Sequence, residues 1–546
     1  MIRSLAAVLA ATALFAPASA VGAAARPTGD GTSAPPGTAA TDARIQDLEQ
    51  QIRDLSAQVQ DLKRSTADQY TDIQNQQAAA TKVSIANGRP TIASADGDFS
   101  ASLRLLVQGD WAYYMQNAAA ASLPAAYGPD LSSGMNFRRV YVGVQGKVFG
   151  DWSYYLNLDF GGSGGTEAPG RIQTAYIQYD GLAPWAFRVG AYPPPASIED
   201  STGSGDTIFL ERNSPSNLQR GLAGGDGRDA VSVLYTGDRL FAALSYTGGK
   251  VQDAAAFDEQ SAALGRASYL LVSSPDAHLL VGANGTYIFK LPDAVAHGAA
   301  TLATTPGATA LNSVTLSDPP ELTVDSNGIK LANTGALPAD HLAQWGVEAA
   351  GNLSSLYAQA GYYGFHVARA PVAYKTYTSA SASTTTVVHP SDNDFSAWYV
   401  QAAWVLTGES RGYNAAAGAF APPKPAHAFA HGGWGALELA VRYSDLNLNS
   451  HAHDPASVIT GWTGASTATY TFTNTVRGGD QRIVTVGLNW YWSSAIRFAF
   501  DYQRIDVSRL QSPATVTVSG GASPVLTSLN GGQKLQTIAV RAQLAI

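Results

Sequence analysis

The last twelve residues, Leu535-Gln536-Thr537-Ile538-Ala539-Val540-Arg541-Ala542-Gln543-Leu544-Ala545-Ile546, decide how the rest of the chain is read. Side chains of an extended strand point alternately to its two faces. Ile538, Val540, Ala542, Leu544 and Ile546 therefore share one face, and Thr537, Ala539, Arg541, Gln543 and Ala545 share the other. In water the apolar face would need a packed partner. In a membrane it can face lipid while the polar face lines a lumen.

The same alternation runs back through the chain. Ala101, Leu103, Leu105, Val107, Gly109, Trp111 and Tyr113 oppose Ser102, Arg104, Leu106, Gln108, Asp110 and Tyr114. Val140, Val142 and Val144 oppose Arg139, Tyr141, Gln145 and Lys147. After the turn Phe149-Gly150-Asp151, Trp152, Tyr154, Leu156, Leu158 and Phe160 oppose Ser153, Tyr155, Asn157 and Asp159. The pattern predicts strands at 99–115, 137–148, 152–160, 172–180, 185–192, 230–236, 239–247, 264–272, 279–288, 342–352, 356–368, 395–407, 434–447, 482–492, 496–507 and 535–546, sixteen in all. Connections alternate between short and long, as in outer-membrane barrels with short periplasmic turns and long external loops. Segment 408–433 breaks the rule, being long on the periplasmic side. It holds either an unrecognised hairpin or a stretch that folds back into the barrel mouth.

Composition agrees with this architecture. The 546 residues are 45% apolar, yet only 14% are charged and the mean hydropathy is −0.05. Beyond the N-terminus no run approaches the roughly 18 apolar residues of a spanning helix. Aromatic residues cluster near strand ends in the outward phase (Trp111 and Tyr113, Trp152 and Tyr154, Trp490 and Trp492), as interface girdles do. Cysteine is absent, so disulfides and thiolate metal sites are excluded.

Met1 to Ala20 has Arg3, an apolar core from Leu5 to Ala16, Pro17 and the small-residue site Ala18-Ser19-Ala20, and reads as a secretory signal peptide. A Pro/Gly/Ala/Thr-rich linker follows over 21–40. In 41–77, Ile45, Leu48, Ile52, Leu55, Val59 and Leu62 recur at alternating spacings of three and four, a short coiled-coil seam or one face of a lone amphipathic helix. The fold class is all-β: a sixteen-stranded antiparallel transmembrane barrel over 90–546, with an N-terminal coiled-coil helix.

The chain carries a formal net charge of −8, but its predicted lumen is basic. The inward phase holds Arg104, Arg139, Lys147, Arg188, Arg239, Arg266, Arg442, Arg497 and Arg541 against Asp110, Asp159, Glu348, Glu438 and Asp501. Guanidinium groups in a low-dielectric passage concentrate anions and bind their oxygens bidentately. The competing reading is that these arginines only form salt bridges with the acids; Glu438 and Arg442 are expected to pair on one strand face. Arg482 and Arg504 fall in the lipid-facing phase at external strand ends, where headgroups, including those of lipopolysaccharide, would meet them.

Several segments resemble the phosphate-selective porin O and P family. They are Ala397-Trp398-Tyr399-Val400-Gln401, Leu406-Thr407-Gly408-Glu409 with Arg411 and Tyr413, and Gly435-Ala436-Leu437-Glu438-Leu439 with Arg442-Tyr443-Ser444. Phe137-Arg138-Arg139, Gly146 to Trp152, Phe209-Leu210-Glu211-Arg212 and Gly487 to Tyr491 support them. The resemblance implies a trimeric outer-membrane porin with an external loop, here 193–229, folded inward as a constriction. It also implies that Arg138 and Arg139 contact anions. Strict alternation lets only Arg139 face the lumen, so Arg138 needs a bulge or a rim position. The chain departs from the family in two places: Gly190-Ala191-Tyr192 stands where some members carry a lysine, and the last residue is Ile546 rather than Phe.

The partners expected are small anions or other small hydrophilic solutes, outer-membrane lipid and two further copies of the chain. A general diffusion or carbohydrate channel is the rival reading, since Tyr141, Tyr155, Tyr363, Tyr399 and Tyr491 are inward and could stack on sugar rings. A structural or adhesive barrel is a third. No catalytic motif, cofactor site or nucleic-acid-binding stripe is present in the sequence. His451-Ala452-His453-Asp454 reads as solvated loop rather than a metal site.

Overall fold

The computed structural model describes residues 38–546 apart from 87, 117–129, 163–169, 255, 430–431, 465, 511–515, 520–523 and 525–531. The expected signal peptide and almost all of the linker lie outside the described residues. Residues 38–78 and 79–546 form separate compact units.

The first unit is helix α1, Thr38–Ala79. Its seam residues Ile45, Leu48, Ile52, Leu55, Val59 and Leu62 stay 45–66% exposed, an apolar stripe without a packed partner among the described residues.

In the second unit, a hairpin of Lys82–Ala86 and Arg89–Ala93 leads into sixteen long strands. They are β1 Ser100–Gln116, β2 Gly134–Val148, β3 Trp152–Asp159, β4 Arg171–Leu182, β5 Trp185–Ala191, β6 Arg228–Thr236, β7 Leu240–Lys250 and β8 Ser261–Ser273, then β9 Ala277–Lys290, β10 Leu337–Leu353, β11 Leu356–Arg369, β12 Asn393–Val405, β13 Ala436–Ser450, β14 Val476–Tyr491, β15 Ile496–Ser508 and β16 Gln533–Ala545. Each pairs antiparallel with its neighbours in sequence, and β16 closes the sheet on β1 with Arg541 opposite Asp110.

The alternation read from the sequence is the alternation of exposure. On β16, Val540 and Leu544 are 39% and 37% exposed while Ala539 and Arg541 are 0% and 2%. The wall thus presents apolar side chains outward and buries polar ones inward, the reverse of a water-soluble sheet and the arrangement lipid requires. Trp152, Trp185 and Trp404 lie outward near the short turns, with a cluster of Trp490, Trp492, Phe429 and Phe498 beside them. Trp111 and Tyr113 lie outward near the long loops.

Among the described residues, three connections turn into the barrel. The first, 192–227, leaves the wall early because β5 is only seven residues long; it carries α2, Ile198–Ser201, and α3, Ser214–Ala223. The second comprises residues 312–337, whose Leu316, Leu322, Val324 and Leu331 are buried. The third is the first part of the exceptional segment, residues 408–421. It both forms a two-residue hairpin, Tyr413–Asn414 with Ala419–Phe420, and enters the lumen, where Phe420 packs on Tyr357 at 5.1 Å.

Candidate functional site

A loop inside a barrel must find partners for its own backbone polar groups, because no sheet supplies them. Here wall side chains do so. Arg497 donates to the Thr207 and Ile208 carbonyls at 2.6 and 2.7 Å, and Asn489 to Ile208 at 2.9 Å. Asp501 accepts from Leu210 N at 2.8 Å and Glu348 from Ile198 N at 2.9 Å. Gln108 and Gln543 hold the loop tip through the Ser204 and Gly205 carbonyls at 3.0 and 2.9 Å.

The arginine pair is resolved by a bulge. Gln108 pairs with Arg139 and Gly109 with Phe137, which leaves Arg138 as an extra residue in β2 and turns it inward beside its neighbour. Both converge on Glu211 of the first inward loop. Arg138 binds it bidentately at 2.7 and 3.0 Å, Arg139 reaches it at 3.3 and 3.4 Å, and Arg541 at 3.0 Å while also bonding Asp110 twice at 2.6 Å. Burial alone would raise the Glu211 carboxyl, but the three guanidinium groups outweigh it and hold it well below the usual carboxylate range.

Other expected lumen arginines are engaged in the same way. Arg442, fully buried, bonds Glu321 of the second inward segment at 2.5 Å and the Glu211 carbonyl at 3.0 Å, with its guanidinium 4.4 Å above the Phe209 ring. Arg266 bonds Glu348 at 2.8 Å and carbonyls of the third segment, including Ala417 at 3.0 Å. Arg239 sits at an exposed turn and donates to the Leu271 carbonyl at 3.3 Å. Asp159 accepts from Arg171 at 2.8 Å.

The expected pair of Glu438 with Arg442 is corrected: Glu438 takes Arg411 from the third segment at 2.6 and 2.8 Å, together with Tyr491 at 2.9 Å. Four residues along a strand is about 13 Å, too far for contact. Arg482 likewise bonds Asp480 at 2.6 Å and Asp445 at 3.2 Å.

Arg104, Lys147 and Arg188 differ from the arginines that bind inward-loop or wall carboxylates. None has a carboxylate partner among the described residues, and all three remain solvent-accessible on the inner face of β1, β2 and β5 toward the short-turn end. Arg188 donates to Gln178, its cross-strand partner, at 2.7 Å and lies 4.3 and 5.2 Å from the Tyr176 and Tyr192 rings. Arg104 lies beside the Tyr155 side chain. Beside the β1 end of this arc is the loop tip with Asp206, whose carboxyl is pushed up by burial although Arg411, Arg497 and Arg104 pull it back. Of the five tyrosines expected to line the lumen, only Tyr155 is half-exposed. Tyr141, Tyr363, Tyr399 and Tyr491 are covered.

Glu211, Glu321 and Arg411 are the residues that sequence reasoning left without a role. Glu211 and Arg411 belong to segments that carry the family resemblance; Glu321 lies in a long loop with no signal to mark it. Among the described residues no group of three or more His, Asp or Glu side chains is arranged to hold a metal.

A closed sixteen-strand wall, greasy outside and polar inside, with its lumen narrowed by loops that the wall itself pins, defines an outer-membrane porin: a non-enzymatic channel that passes small solutes. Residues 120–523 match the family model described as phosphate-selective porin O and P, and the chain belongs to that family. Porin O of Pseudomonas aeruginosa is 23% identical over 436 residues, 77% of this chain and 86% of that protein. An uncharacterized protein of Caulobacter vibrioides is 24% identical over 397 residues, 69% of this chain and 64% of that one. Among solved structures, an anion-selective porin from Comamonas acidovorans superimposes with a TM-score of 0.42 at 12% identity, over 82% of this chain and all of that one. OmpT of Vibrio cholerae, in its trimer form, does so at 0.41 and 11%, over 82% of this chain and 99% of that one.

Proposed function

We propose that this porin prefers small anions, phosphate or polyphosphate among them, and works as a homotrimer whose N-terminal helices associate as a coiled coil after export directed by residues 1–20. The observation that supports the anion preference is the arc of Arg104, Lys147 and Arg188, three accessible lumen cations without carboxylate partners among the described residues. The other basic side chains of the wall are largely neutralised locally and contribute less to the field a solute feels. Reversal potentials across a planar bilayer under a KCl gradient test the reading. A potential of the sign that marks chloride as the more permeant ion supports it, and cation preference overturns it.

A carbohydrate or general diffusion channel is the second reading. It is favoured by the half-exposed rings of Tyr155 and Tyr176 on the same arc. Phosphate and neutral sugars added to single-channel recordings separate the two, because the bound solute is the one that blocks at low concentration.

A further inference from the structure

We propose that the arc from Arg104 to Arg188 is a binding site for carboxylates borne on a ring, such as sugar acids or aromatic acids, in preference to compact inorganic anions. The inference rests on the porin reading and deepens it. Four inward side chains from four strands make the site: Arg104 on β1, Tyr155 on β3, Tyr176 on β4 and Arg188 on β5. The two tyrosines are cross-strand partners, edge to face with ring centroids 6.0 Å apart. Each end of this aromatic stretch carries a guanidinium: Arg104 lies beside Tyr155, and Arg188 lies 4.3 Å from the Tyr176 ring.

Arg188 is pre-organised for such a ligand. Its Nε is occupied by Gln178, and Tyr192, which is fully buried and bonded to Ser232 at 2.5 Å, backs it. Gly190, the cross-strand partner of Tyr176, has φ +145° and could not carry a Cβ without meeting the Ala175 carbonyl, so the strands approach closely beside these rings. The two terminal nitrogens of Arg188 have no hydrogen-bond partner among the described residues, a fork that suits the two oxygens of a carboxylate. A hydrated phosphate would use the guanidinium groups but gain nothing from the rings. A ring-borne carboxylate would use both, since aromatic faces stack on aromatic rings and on the C–H faces of sugars.

The test is block of single-channel chloride current by galacturonate, benzoate, acetate, inorganic phosphate and galactose, each scaled to the open-channel conductance of the protein tested. Galacturonate, benzoate or both should block at concentrations about tenfold below acetate, phosphate and galactose. Which of the two does so tells sugar acids from aromatic acids. The Tyr155→Leu/Tyr176→Leu double variant should lose that advantage, Tyr155→Phe/Tyr176→Phe should keep most of it, and Arg188→Gln should weaken block by every carboxylate. The inference is overturned if acetate blocks as well as the ring-borne acids, if galactose does, or if the leucine variant is blocked like the unmodified protein. Absence of any open-channel steps would instead refute the porin reading on which the inference stands.

Discussion

Replacing Glu321 with Gln should loosen two inward loops at once, and replacing its partner as well should restore them. Glu321 is 2% exposed and accepts from Arg442 and Ser444 of β13 at 2.5 Å each, and from Ser214 N at the start of α3 at 2.8 Å. One carboxylate therefore ties the second segment both to the wall and to the first loop. Its backbone has φ +55°, a left-handed conformation that costs a non-glycine residue on the order of 1–2 kcal/mol and that its contacts must hold. Removing the charge leaves the fully buried Arg442 uncompensated, which costs about 3–5 kcal/mol, whereas removing both charges is often close to neutral. At 1.4 kcal/mol per factor of ten, the single change should raise local opening of 214–223 and 312–337 by roughly 10²- to 4 × 10³-fold. Hydrogen exchange on the folded barrel reads this directly. Glu321→Gln should show fast exchange in those two segments with β13 protected, and Glu321→Gln/Arg442→Met should recover most of the protection. Unchanged exchange in the single variant, or a double variant no slower than the single, would refute the view that this pair is the lock.

Arg411→Ala strands Glu438, which is 0% exposed, and should release segment 408–421 at a cost of about 3–5 kcal/mol, seen as larger current noise in single-channel records. Arg104→Ala should lower the chloride-to-potassium permeability ratio yet change stability by no more than about 0.5 kcal/mol, measured as the thermal midpoint in detergent, because that arginine has no carboxylate partner among the described residues. Asp206 should protonate at higher pH than an ordinary aspartate, since burial favours its neutral form. Anion preference should therefore rise as pH falls, beginning above the usual aspartate range; Asp206→Asn should raise it by roughly two- to fourfold at neutral pH and remove that pH dependence from the reversal potential.

The wall was legible because lipid imposes a rule on every strand. An outward residue that is not apolar is penalised by the bilayer, so the period of two survives in strands as different as β1 and β16. Even the anomaly at 408–433 was visible as a break in the parity of the loops, and the Arg138-Arg139 pair, by violating alternation, called for a bulge or a rim position. The partners of the lumen cations were not legible. Arg541 and Asp110 lie on opposite ends of the barrel sequence and meet at its closing seam, and Arg442 finds Glu321 across 121 residues, through a loop with no periodic signal. Strand periodicity says which face a side chain occupies; it carries no information about which loop will come to cover that face.

That distinction changes how the lumen's charge must be counted. A census of inward strand residues treats Arg139, Arg266, Arg442, Arg497 and Arg541 as equal to Arg104 and Arg188, but the first five spend their hydrogen bonds on carboxylates and amides of wall and loops and on loop carbonyls. Buried ion pairs of this kind are weak as stability and strong as constraints: breaking one is costly even where replacing both partners is not. Their physical output is the position of the loop tip at 203–206, held against β1 and β16 beside the Arg104 end of the arc. The tip contributes Asp206 and the arc contributes Arg104, Lys147 and Arg188, so charge in the passage is unevenly distributed rather than a uniform ring. An anion would then follow one wall, the wall that also carries Tyr155 and Tyr176, and selectivity would respond to changes on that arc far more than to removal of an equal number of pinned arginines, whose loss should appear first as loop motion.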